Sequence, residues 1–267
     1  MEVVRSPDGT GIAVFDLGGT GRPVVLVHGA SADHTTWRVT GPRLARDRHV
    51  LAIDRRGRGA SGDTGPYSIE REFEDLAAVA DALQASLRNE VDVVGHSFGG
   101  RVALGAALRT SSIRRLVVYE SAPPVADDAY QPPGLVERLR GFADAGDGDE
   151  LLATFLLEVV GMSRADLAAY RADPIWPTRA AAASTIVREL EAEASPAASL
   201  AALGRVRQPV LQVVGGESRP AFQRATRALH DRLAHGTVVT IPGARHGAHH
   251  THAAAFVAAI DAHLAIG

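Results

Sequence analysis

Short, nearly continuous apolar runs recur along the chain at residues 24–27, 50–53, 91–94, 115–120 and 210–214. Segments dominated by aliphatic, mostly β-branched residues, unbroken at 24–27 and 50–53, suit strands covered on both faces, as in parallel sheets. Two shorter runs, 2–5 and 12–16, flank Pro7-Asp8-Gly9-Thr10-Gly11 and predict an opening hairpin. A last run at 237–241 completes eight predicted strands. Between the runs the period changes. Phe73, Leu76, Ala77, Ala80, Leu83 and Leu87 recur at three- and four-residue steps behind Ser68, which predicts a capped amphipathic helix. Helices are also expected after residue 97, over 219–233 and over 251–264, whereas 36–47 is only moderately helical. Strands alternating with helices predict an α/β fold, a doubly wound and mostly parallel sheet.

One region breaks the alternation. Residues 124–205 hold no strand-like run, only apolar-faced helical stretches at 135–142, 150–160, 165–170 and 178–193, separated by glycines and prolines. The predicted organisation is therefore a core made of 1–123 and 206–267, with a helical insertion at 124–205. Ligands of α/β sheets bind beyond the carboxyl ends of the strands, and an insertion there is expected to act as a lid.

Composition narrows the function classes. The 267 residues include no cysteine, which removes disulfides, thiolate metal sites and cysteine nucleophiles. A net charge of −3 with both signs scattered gives no basic footprint for nucleic acid and no polybasic membrane patch. No apolar run approaches the roughly 20 residues that span a bilayer, and residues 1–6 do not open a signal peptide, so a cytoplasmic protein is expected. The expected partner is a small molecule. Oligomeric state is not legible.

The chemistry is concentrated in Gly95-His96-Ser97-Phe98-Gly99-Gly100, between a predicted strand and a predicted helix. A serine on such a sharp turn presents its hydroxyl at the sheet edge, and Ser97 is the candidate nucleophile. It needs a base on the same edge, and His246 in the loop after the last strand supplies one. His249, His250 and His252 follow at the start of the last helix, where solvation or capping accounts for them; with no carboxylate pattern beside them, no metal is assigned. His28 and His96 read as structural residues or pocket lining. Two backbone amides should await the oxyanion, and Phe98 and Ala30 are the candidates. Trp37, Phe142, Met162 and Trp176 are candidate pocket residues, with ordinary core as the alternative for each.

Together, His28-Gly29-Ala30, the Asp54-Arg55-Arg56-Gly57-Arg58-Gly59-Ala60-Ser61 loop, the serine turn and Pro242-Gly243-Ala244-Arg245-His246 resemble the α/β-hydrolase superfamily over nearly the whole chain. The resemblance implies a hydrolase needing no cofactor, with the insertion as its cap. Most members place an Asp in the loop after the strand equivalent to 210–214, but here Ser218 holds that place. A hydroxyl cannot steady an imidazolium as a carboxylate does. Glu120, at the end of the preceding strand, is the expected third member, as in certain haloalkane dehalogenases and zearalenone-opening lactone hydrolases; Glu217 is the alternative. A serine nucleophile disfavours epoxide and haloalkane chemistry and points to a carboxylic ester or lactone. Thioesters, carbon–carbon bonds beside a carbonyl, perhydrolysis and a slow-turnover small-molecule receptor of the same fold remain open.

Overall fold

The protein, seen in a computed structural model that describes residues 1–125 and 129–265, is built on one eight-stranded sheet. Its strands are β1 (Glu2–Arg5), β2 (Gly11–Gly18), β3 (Pro23–Val27), β4 (His49–Ile53), β5 (Val91–His96), β6 (Ile113–Tyr119), β7 (Val210–Gly215) and β8 (Gly236–Ile241). The spatial order is β1-β2-β4-β3-β5-β6-β7-β8. The opening hairpin pairs antiparallel and joins β4 antiparallel; every other neighbour is parallel. All of β3 is buried, as its unbroken apolar run requires of a strand covered on both sides. On one face lie helices Ile69–Leu87 and Phe98–Ala107, and on the other helices Gly41–Leu44 and Ala253–Leu264. β8 closes the sheet as an edge strand and leaves Thr237 to Thr240 exposed.

Helix Ile69–Leu87 starts where the sequence places its cap: the Ser68 hydroxyl accepts from the Arg71 amide at 3.3 Å. The region 36–47 resolves into two short pieces, a 3-10 turn His34–Arg38 and helix Gly41–Leu44. Between β6 and β7 the described residues hold helices but no strand of the sheet, from Leu135–Asp144 to Leu200–Leu203. Residues 126–128 of the expected insertion and 266–267 of the expected core lie outside the described residues.

Two expected helices of that region differ in detail. The 150–160 stretch runs as an α-helix over Gly148–Phe155 and then widens into a π turn, Leu156–Val160. The 178–193 stretch is two helices, Trp176–Ala181 and Thr185–Ala192. At the break the Thr185 hydroxyl bonds back to the Ala182 carbonyl at 2.8 Å, the side-chain competition by which Ser and Thr interrupt helices.

Buried ion pairs fasten these helices to the core. Glu189, 1% exposed, sits between Arg55 and Arg58 at 2.8 and 3.0 Å, and Arg55 also grips Glu72 with two bonds of 2.7 Å. Desolvating these charges costs several kcal/mol per ion, and the short paired contacts offset part of it. No helix among the described residues is long and apolar enough to cross a membrane.

Candidate active site

The turn after β5 places Ser97 at φ 52° and ψ −123°, a backbone region that costs of order 1–3 kcal/mol and persists only where its surroundings enforce it. Those surroundings are packed backbone. A Cβ on Gly95 would lie 2.4 Å from Gly100 Cα, and one on Gly99 would lie 2.2 Å from the His28 carbonyl oxygen. Only glycine allows the elbow to press against the next helix and against the loop after β3. The Ser97 amide donates to the Tyr119 carbonyl at 2.8 Å and fixes the turn to β6.

The loop after β3 is set from inside. The Arg55 amide donates to Nε2 of His28 at 3.0 Å, which leaves the proton on Nδ1, 2.8 Å from the Gly29 carbonyl. Burial, followed by the charge of Arg55, holds the His28 pKa well below the usual histidine range. His28 is therefore a neutral strut beneath Ala30. Asp54 braces the neighbouring loop, accepting from the His34 amide at 2.7 Å, from His34 Nδ1 at 2.8 Å and from the Ala60 amide at 2.8 Å. Asp33, His34 and Asp54 bring potential metal-ligand atoms within 4.8 Å of one another, but these atoms are committed to each other, to Thr35, Ala60 and Arg179.

Glu120 directly follows β6 at φ 48°, with its amide still bonded to the Val213 carbonyl at 3.1 Å. Its buried carboxylate faces the loops after β7 and β8. Oε2 lies 2.6 Å from Nδ1 of His246, while Oε1 accepts from the Gly215 amide at 2.8 Å and from the Ser218 hydroxyl. Ser218, in the loop after β7, is thus a donor to Glu120. Glu217 lies outside this cluster, with its side chain 59% exposed and 3.6 Å from Arg245. The His246 loop is held by Tyr119, whose hydroxyl donates to the Arg245 carbonyl and accepts from the Ala248 amide at 3.1 Å. Nε2 of His96 donates to the His246 carbonyl at 2.9 Å, and Phe222 stacks on the His246 ring with centroids 4.8 Å apart. The positioning roles of Tyr119, His96 and Ser218 left no signal in the sequence beyond their proximity to the motifs.

Ala30, Ser97, Phe98 and His246 all line one small compartment of about 20 Å³. The Ala30 and Phe98 amides make no hydrogen bond with the described residues, as expected of Phe98 at a helix start. Ser97 and His246 also line a larger adjoining cavity of about 290 Å³. Its walls include Phe155, Leu156 and Val160 from the π turn and its entry, and Met162.

Three of the four candidate pocket residues are not on these walls. Trp37 is fully buried in the core beneath the sheet, behind His249 at a ring distance of 5.4 Å. Trp176 stands behind Tyr170, edge-on at 5.4 Å, with its indole N–H on Asp149. Phe142 packs against the main core from helix Leu135–Asp144. Large aromatics maximise buried area one layer back and leave the wall to thinner side chains. His249 and His250 differ from expectation in the other direction: both line the cavity. Burial holds His249 well below the ordinary range and, with Arg38 and Arg179, lowers His250 to about 4.

The sequence profile of the alpha/beta hydrolase family matches residues 24–259, and the chain belongs to that family. A pimeloyl-[acyl-carrier protein] methyl ester esterase of Neisseria meningitidis serogroup A is 31% identical over 242 residues, 89% of this chain and 75% of that one. The 2-hydroxy-6-oxo-2,4-heptadienoate hydrolase of Pseudomonas putida is 41% identical over 106 residues, a match spanning 38% of this chain and 37% of that enzyme. Among solved structures, an alpha/beta hydrolase from Sphaerobacter thermophilus superposes with a TM-score of 0.81 at 32% identity, covering 97% of this chain and 100% of its own.

Proposed function

We propose that the chain is a serine hydrolase that cleaves a carboxylic ester or lactone of a small, largely apolar molecule through an acyl-enzyme. The observation that carries this reading is the 2.6 Å contact between the buried Glu120 carboxylate and Nδ1 of His246, on a cavity that Ser97 shares. A carboxylate on Nδ1 fixes that proton and leaves Nε2 as the basic nitrogen. In the proposed sequence His246 takes the Ser97 proton as Oγ attacks the acyl carbonyl. The amides of Ala30 and Phe98 hold the tetrahedral oxyanion, each worth roughly 3 kcal/mol of barrier. The imidazolium then protonates the leaving oxygen, and a water deprotonated by His246 releases the acid. The inserted helices act as a cap that supplies the apolar wall. Similarity to a methyl ester esterase supports the choice of ester.

The test is turnover of p-nitrophenyl acyl esters together with fluorophosphonate labelling. Wild type is expected to be labelled at Ser97 and to turn over repeatedly, and Ser97→Ala to do neither. Labelling with no sustained turnover would point to a receptor; no labelling would reject an activated serine.

A further inference from the structure

The larger cavity beside Ser97 has two unlike walls. The inserted segment contributes the apolar Leu156, Val160 and Met162 and also Arg179, which with Thr36 and Arg38 of the core makes the polar side; no Asp or Glu is among the described lining residues. Arg179 is only 4% exposed. Its Nη1 pairs with Asp33 at 3.0 Å and its Nη2 donates to Thr35 at 2.9 Å, but its Nε is buried with no hydrogen-bond partner. An unsatisfied buried donor on a charged group is costly, and such a group is commonly completed by a ligand or water. Arg38 stands at the same cavity, its side chain 53% exposed, with Asp173 no closer than 3.6 Å. Asp33 and Asp173 offset part of this charge from behind the wall without lining the cavity.

We infer that the substrate carries a carboxylate at the end remote from its scissile carbonyl, and that Arg179 and Arg38 receive it. A guanidinium offers several N–H donors in one plane and suits a carboxylate better than a neutral oxygen. The field of these two arginines acts also on His250, which lines the cavity too. After burial itself, Arg38 and Arg179 are the main causes that lower its pKa, and a field that repels a proton attracts an anion. Asp173 opposes the effect there without reversing it. A volume of about 290 Å³ limits the ligand to a short chain. The proposed ligand is therefore a half-ester, or the corresponding lactone acid, of a short dicarboxylic acid. This inference rests on the serine-hydrolase reading for the reacting end and adds recognition of the other end.

The experiment compares monomethyl glutarate with dimethyl glutarate, and measures how glutarate or neutral pentanediol slows fluorophosphonate labelling of Ser97. The monoester is expected to be favoured roughly ten-fold or more in kcat/KM, mostly through KM, with the advantage shrinking as salt rises. Arg38→Gln, a change at a half-exposed side chain, should raise KM for the monoester several-fold and narrow the monoester's advantage over the diester. Arg179→Gln should remove most of the preference; if it does not fold, Arg38→Gln and the protection assay still decide. Protection by glutarate but not by the diol supports the anion site even where neither ester is a good substrate. If glutarate protects no better than the diol and neither ester is preferred, the anion site is wrong while labelling keeps the serine reading intact. Absence of labelling sinks the serine reading and this inference with it.

Discussion

Replacing Glu120 by Gln keeps the shape of the side chain and removes the charge opposite Nδ1 of His246, 2.6 Å away. If His246 must become an imidazolium in the transition state, the lost carboxylate should cost on the order of 10⁴ in kcat, about 5 kcal/mol of barrier. The two bonds to Oε1, from Gly215 and Ser218, set a second and smaller effect. Ser218→Ala removes one donor to a buried charge, worth about 1.5–3 kcal/mol, so stability should fall by that amount and kcat by about ten- to a hundred-fold. Glu217→Gln should change neither, because that side chain is exposed. Adding Ser218→Asp to Glu120→Gln would restore a carboxylate from the neighbouring strand end, and part of the lost rate should return. The assay is single-substrate kinetics on an activated acyl ester, with urea midpoints to separate folding from chemistry. Glu120→Gln within ten-fold of wild type, or a large loss in Glu217→Gln, would refute the assignment.

Two further outcomes are expected. Glu189→Gln leaves Arg55 and Arg58 facing a neutral amide in a buried site and should cost about 3–5 kcal/mol in urea unfolding; a change below about 1 kcal/mol would show that these two pairs do not hold the inserted helices to the core. Stability should also fall in mild acid. His28, His96, His249 and His250 have folded pKa values depressed below 6.5, chiefly by burial. Their contribution is complete above that value and is lost as pH falls below it, because the unfolded chain takes up protons first; for His250 the loss ends near 4. Each group removes up to about 1.4 kcal/mol per pH unit, so the four together could remove on the order of 5 kcal/mol over one unit. Urea midpoints that stay level from neutral pH to about one unit below the histidine range would contradict this.

The alternation of apolar runs and helical stripes by itself determined the alternating α/β order, because buried parallel strands admit few other residue patterns, and the motifs at the strand ends carried the resemblance to the family. The Gly-x-Ser-x-Gly turn and the histidine after the last strand were legible for a similar reason: a strained elbow needs glycine where backbones touch, and those requirements are local. The partner of His246 was legible only as a preference, for Glu120 over Glu217. Glu120 and Glu217 both follow strands in sequence, and only the backbone at φ 48° and the donors Gly215 and Ser218 decide which carboxylate turns inward. The aromatic residues show the same limit. Trp37, Phe142 and Trp176 announce burial but not which layer they occupy, since hydrophobic burial has no direction. Likewise Arg38 and Arg179, which look like ordinary helix cations in sequence, reach one cavity wall only when segments 141 positions apart (179 − 38) pack together.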